Sequence, residues 1–218
     1  MYNRGGNRGN RGTGTLELAE IIKSRRSIRK FTDADVPDEI IQKLAEAARW
    51  APSPTNRQGT EIIVIRNRDL KDKMAEVVKQ SINELETKVP NEDALQTLRD
   101  YGNYFTFFKE APVVLVITYR PKQSITGILT GSSGKPRDYI ADISGTAAAI
   151  QNILLTAHSL GYGTCWMTGP LIAEEPLADL LEIRPPRRLA AIVPLGIPAE
   201  QPEAPKRKDI DSIFRVVE

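Results

Sequence analysis

The stretch from Asp142 to Leu171, DISGTAAAIQNILLTAHSLGYGTCWMTGPL, constrains this chain more than any other. Between Ile143 and Leu160 apolar residues fall on nearly every side: Ile143, Ala147, Ala148, Ile150, Ile153, Leu154, Leu155, Ala157 and Leu160. A surface helix shows one apolar stripe, whereas a helix apolar almost all round is buried in a large core or an interface. Gly145 and the Ala147–Ala149 run let another backbone come close. Gly161 suits the left-handed position that ends a helix. Tyr162–Met167 then has strand character, and Thr168-Gly169-Pro170 reads as a tight turn. Such a turn can offer backbone N–H groups with no side chain in the way, which suits a flat ligand. An ordinary core helix followed by an ordinary turn fits the same residues.

At 218 residues the chain can bury a core as one domain, or at most one and a half. No run approaches the roughly 20 apolar residues of a membrane span. The first residues lack the apolar core of a secretory signal, so a cytoplasmic protein is expected. A single cysteine, Cys165, excludes an internal disulfide. A single histidine, His158, lies within the apolar helix and suits neither a metal site nor a nucleophile's base. No metal and no catalytic side chain are therefore expected. The formal charge is +2, but Arg4, Arg8 and Arg11 stand in residues 1–16 without an acid; removing these three leaves −1. The remainder is close to neutral, and nothing in it argues for a nucleic-acid-binding domain.

Residues 1–14 are low-complexity Gly, Asn and Arg and are expected to form a disordered, inert tail before one domain at 15–218. Leu16–Lys23 has helical spacing and runs into Ser24-Arg25-Arg26-Ser27-Ile28-Arg29-Lys30-Phe31. Arginine forks match phosphate oxygens bidentately, and a serine adds a small donor. A solvated basic face is the alternative. Pro37-Asp38-Glu39 opens a helix with its acids in the first turn, and this helix should stop before Pro52. Residues 51–59 read as a polar loop, Glu61–Arg66 as a strand, and Leu70–Thr87 and Asp93–Phe108 as helices around Pro90. Tyr101, Tyr104, Phe105, Phe107 and Phe108 either line an apolar ligand site or pack the core. Ala111–Tyr119 is a buried strand, and Arg120–Pro136 a loop or flap. Gly131–Lys135 is not a phosphate loop, because Leu129 and Pro136 stand where that pattern needs Gly and Ser or Thr. Glu174–Leu181 is a short helix and Leu189–Leu195 a strand; Ala199–Lys208 is extended, and Ile210–Val217 makes a final strand or arm.

Several short motifs, in this order, resemble the FMN-dependent nitroreductase family. They are Arg25-Arg26-Ser27-Ile28-Arg29; Ala51-Pro52-Ser53 with Asn56 and Gln58; and Lys109-Glu110-Ala111-Pro112-Val113. Further along come Gly161-Tyr162-Gly163-Thr164-Cys165-Trp166, Leu195-Gly196-Ile197-Pro198 and Pro205-Lys206-Arg207-Lys208. The likeness runs from Leu16 to the end of the chain.

It implies an α+β fold: a three-layer sandwich whose mixed, mostly antiparallel sheet is flanked by helices, in an intertwined homodimer. By resemblance, Arg25, Ser27 and Arg29, supported by Arg26, would bind the phosphate and ribityl chain of FMN. Lys206 and Arg207 would close the phosphate site. Pro52, Ser53 and Asn56 would come from the partner subunit, and Thr168 and Gly169 would offer backbone N–H groups to the flavin ring. The implied activity is reduction of a nitroaromatic, quinone or related small acceptor by NADH or NADPH in a ping-pong cycle carried by FMN. The alternatives are reductive dehalogenation or flavin breakdown on the same fold, or a non-catalytic protein binding flavin or nucleic acid. One departure is Gly59-Thr60 where the family often has Pro-Trp.

Overall fold

Val113–Tyr119, strand β2, is buried along its whole length, and the rest of the fold is arranged on its two faces. The computed structural model describes residues 17–122, 129 and 137–217. The tail expected at 1–14 and most of the loop expected at 120–136 lie outside them.

Ten elements follow in chain order. They are α1 (Leu18–Ser24), α2 (Asp38–Arg49), β1 (Glu61–Ile65), α3 (Arg68–Glu86), α4 (Glu92–Gly102), β2, α5 (Arg137–Ser159), β3 (Gly163–Thr164), α6 (Glu174–Leu180) and β4 (Arg188–Gly196). The strands form one sheet in the order β1-β2-β4-β3, each pair antiparallel. Ser27 adds a parallel bridge to Thr164, so the sheet is mixed but mostly antiparallel, as the resemblance implied.

Successive residues of a strand point to opposite faces. Val113, Leu115, Ile117 and Tyr119 join one apolar layer with Leu44 and Ala48 of α2 and Ile150 and Ile153 of α5. Val114 and Val116 join the other, with Met74 and Val78 of α3 and Leu177 of α6. Two helical layers on one sheet make the three-layer sandwich.

Helix α5 begins six residues before its apolar pattern does. Ala149, Ile150, Ile153, Leu154 and Ala157 are buried, while Ile143, Ala147, Ala148 and Leu155 are only half-buried. The chain thus covers one side of the helix and leaves much of its other apolar side partly bare. Among the described residues no helix is long and apolar enough to cross a membrane.

Two expectations are corrected, and the open choice between strand and arm at Ile210–Val217 is decided. The helix expected over Asp93–Phe108 ends at buried Gly102, and tighter turns at Asn103–Phe105 and Phe107–Glu110 carry the chain to β2. Glycine weakens a helix interior, which suits it to the last position of α4. The aromatic run accordingly divides: Phe108 is fully buried, Phe105 and Phe107 pack on the core, and Tyr101 and Tyr104 are exposed. The strand character of Tyr162–Met167 yields only two paired residues, with Met167 making a separate bridge to Ile192. Ile210–Val217 is an exposed arm with one tight turn at Ile210–Ser212, not a strand.

Candidate functional site

The basic segment is laid along the edge of the sheet. Helix α1 ends at Ser24, and Arg25 turns extended while its N–H still reaches Ile21 O at 3.1 Å. Ile28 N then donates to Thr164 O at 2.9 Å. A Cβ at Gly163 would lie 2.8 Å from the Ile28 side chain, so glycine is what allows the two segments to touch.

The arginines of this segment are not equivalent. Arg26 Nη1 donates to Lys23 O and Arg25 O, both at 2.8 Å, and so serves the exposed carbonyls at the end of α1. Among the described residues Arg25 forms no ion pair or side-chain hydrogen bond, and Arg29 reaches only Ser27 O at 3.4 Å. Burial pushes the Cys165 thiol up, while Arg29, the Ser27 hydroxyl and Arg25 pull it back in that order. Arg25, Ser27 and Arg29 therefore lie near Cys165, the residue that follows β3.

Four residues beyond Thr164 come Thr168 and Gly169, at the start of a tight turn, Gly169–Ala173. Neither N–H is taken by a backbone acceptor among the described residues. A Cβ on Gly169 would stand 2.4 Å from the Phe105 ring, so the aromatic segment closes over this turn from behind.

The end of the chain is rooted in the same place. Thr32 N donates to Ile197 O at 3.0 Å and Ala199 N to Lys30 O at 2.9 Å. Glu200 Oε1 accepts from the N–H groups of Arg29 and Lys30. Beyond this root Lys206 and Arg207 stand exposed, with no side-chain partner among the described residues, and are not brought to Arg25 within the chain. A cavity of about 670 Å³ opens between the root and α5, lined by Arg25, Arg26, His158, Tyr162, Thr164 and Glu200 among others. His158 Nε2 lies 2.8 Å from Ser24 Oγ. Burial, then Arg25 and Arg26, hold its pKa below the ordinary histidine value.

Pro52, Ser53 and Asn56 are elsewhere, on a loop packed against α5. A Cβ on Gly145 would come within 3.0 Å of Pro52 O, which is the close backbone approach expected of that glycine. Pro52 and Ser53 line a second cavity of about 300 Å³ with Thr60, Gly145 and Ala149. The Thr60 and Thr146 hydroxyls are 2.8 Å apart. No hydrogen bond or ion pair joins this loop to Arg25–Arg29 within the described chain.

The structure thus gathers Arg25, Ser27, Arg29, Thr168 and Gly169 along one edge. It turns Arg26 back onto α1 and leaves Pro52, Ser53, Asn56, Lys206 and Arg207 apart. Glu200 joins the site without having been singled out from the sequence, where its one signal is an acid opening a basic, Pro-rich tail. Tyr162, named there within a motif, and Phe105, named within the aromatic run, join it as well. The gathered donor set suits a ligand with an anionic group at one end and a flat ring bearing acceptor atoms at the other: a free guanidinium, a hydroxyl and two unspent backbone N–H groups.

The family model described as Nitroreductase family matches residues 22–197. A Methanothermobacter thermautotrophicus protein named "Putative NADH dehydrogenase/NAD(P)H nitroreductase" is 33% identical over 201 residues, 91% of this chain and 86% of its own length. The BluB-like flavoprotein of Clostridium difficile 630 superposes with a TM-score of 0.83 at 29% identity, over 93% of this chain and all of that one. An iodotyrosine deiodinase bound to FMN and 3-iodo-L-tyrosine shares the fold with a TM-score of 0.71 at 22% identity, over 93% of this chain and all of that one.

Proposed function

The chain belongs to the nitroreductase family, and from that membership together with the site we infer an FMN-dependent NAD(P)H oxidoreductase that reduces nitroaromatic, quinone or related small acceptors. The observation that carries the reading is the set of unspent donors along one sheet edge, from Arg25 to Gly169. FMN, when bound, supplies the hydride and electron chemistry.

The chain's residues supply binding, orientation and electrostatics. Arg25 and Arg29 offer forks to the phosphate, and Ser27 adds a hydroxyl. The N–H groups of Thr168 and Gly169 would donate to acceptor atoms at the ring edge, where negative charge grows on reduction. Arg26 holds the end of α1, and so the approach of Arg25, rather than the ligand itself.

The functional unit in this reading is a homodimer. Its basis is the half-buried apolar side of α5 and the exposed arm, where Ile213, Phe214 and Val217 are 55–76% exposed. A partner would bring Pro52, Ser53 and Asn56 to the ring, and the arm would bring Lys206 and Arg207 to the phosphate. The reading places the enzyme in the cytoplasm, where reduced nicotinamide is supplied.

The test is anaerobic stopped-flow reduction of the FMN-loaded protein by NADH and by NADPH, followed by a panel of oxidants. A protein that stays colourless and cannot be loaded with FMN would overturn the reading. Likeness to iodotyrosine deiodinases favours a second reading, reductive dehalogenation or another flavin reaction on the same fold, such as oxygen-dependent flavin breakdown. Iodotyrosine and dioxygen in the oxidant panel separate it from the first.

A further inference from the structure

Thr55, Asn56 and Gln58 hold left-handed backbone angles, with φ of 50°, 54° and 50°. None is glycine and Thr55 is β-branched, so the loop does not rest in this shape by its own preference. Strain of this kind persists only where the surroundings over-determine it, and it gathers at functional sites.

Part of the restraint is local. Gln58 N donates to Ser53 Oγ at 3.0 Å, and Arg57 Nε to Pro54 O at 3.1 Å. The rest comes from α5. Arg57 Nη2 lies 3.2 Å from Asp142 Oδ1, and Asp142 Oδ2 accepts from Lys122 N at 3.0 Å. The Asp142 side chain is 6% exposed. It sits one turn before Gly145, where the loop backbone touches α5. A buried carboxylate is costly unless both oxygens are partnered. Here one oxygen is spent on the loop and the other on the chain leaving β2.

We propose that Arg57 and Asp142 are positioning residues, whose ion pair fixes the strained loop in the shape that presents Ser53 and Asn56 to a flavin across the subunit interface. The role rests on the functional reading above and extends it to two residues that need touch no ligand. It also makes one carboxylate the shared anchor of the 53–58 loop and of the backbone at Lys122.

The test compares wild type with Asp142→Asn, Arg57→Gln and the exchanged pair Arg57→Asp/Asp142→Arg. Two readouts are taken: amide hydrogen exchange of the flavin-free protein, and FMN titration by fluorescence quenching. Each single variant is expected to exchange at least about tenfold faster over residues 53–58, with α2 and β2 unchanged, and to bind FMN about tenfold more weakly. The exchanged pair should recover part of both. Unchanged exchange over 53–58 overturns the lock. Faster exchange with unchanged FMN affinity overturns the positioning role, because a merely structural pair would behave that way. If Asp142→Asn fails to fold, Arg57→Gln, on the loop itself, decides the matter. A wild-type protein that takes up no FMN removes the functional reading and the positioning role with it, before any variant is compared.

Discussion

Arg25 leaves α1 with its guanidinium committed to no other side chain among the described residues, while Arg26 beside it is spent on two carbonyls. Arg25→Ala should therefore weaken FMN binding by about 1.5–3 kcal/mol, roughly ten- to a hundredfold, with little change in unfolding. Arg25→Lys should recover only part, since lysine keeps the charge but not the fork. Arg26→Ala should do the reverse, lowering stability more than affinity. Flavin titration and urea unfolding of the three variants check this division of labour. Spacing showed the arginines as a cluster and only the resemblance set Arg26 apart as a support, because the physical ranking depends on which carbonyls stand nearby. Lys71 was invisible to sequence reasoning for a similar reason. Its side chain is almost wholly buried, and Nζ donates to Ala111 O at 2.6 Å and Pro112 O at 3.3 Å. Burial, followed by Arg68, holds its pKa below the ordinary lysine value. Lys71→Met keeps the volume but leaves both carbonyls unpaired, which should cost about 1–3 kcal/mol. In wild type the penalty for burying the charged form is fully present below the folded pKa. It is relieved as pH rises from there toward the ordinary value, because only the unfolded chain then still holds the proton. The stability gap between wild type and Lys71→Met should accordingly widen as pH is raised into the alkaline range, as chemical unfolding at stepped pH would show.

Strands β2 and β4 were legible because each is a continuous apolar run bounded by turn residues, and both appear within two residues of where the pattern put them. Helix α2 was equally legible from its acids and its stripe. The laying of Arg25–Arg29 along β3 was not, since parallel pairing between distant segments leaves no mark in either one. What does mark it is Gly163, whose missing side chain is the space Ile28 occupies. Gly163→Ala should overpack this contact by about 1–3 kcal/mol and push the basic segment off the strand. Both the urea midpoint and FMN affinity should then fall, whereas Gly161→Ala, with nothing within 4 Å of its Cβ, should strain only the left-handed helix end. A Gly163→Ala protein with wild-type stability and affinity would show that the segment is not held by β3.

For the molecule as a whole, the bare side of α5 is the feature the sequence announced first and the single chain explains least. The homodimer proposed above would account for it. Ala148, half-buried in the chain, should be fully buried in that assembly, and Ala148→Glu would then place an unpaired charge in the interface at a cost of about 3–5 kcal/mol. Light scattering should find wild type dimeric and the variant insoluble, unfolded or monomeric without FMN; a folded, FMN-loaded monomer would refute the assembly. The root of the arm bears on how such a molecule comes into being. Arg29 and Lys30 are among the first described residues to leave the ribosome, yet their amides wait for Glu200, and Ser27 just before them waits for Thr164. During synthesis the early basic segment therefore has no neighbour to lie against until those later residues follow it. A chain that stopped before β4 would carry every arginine of the first cluster and still lack Glu200 and the cavity wall it forms.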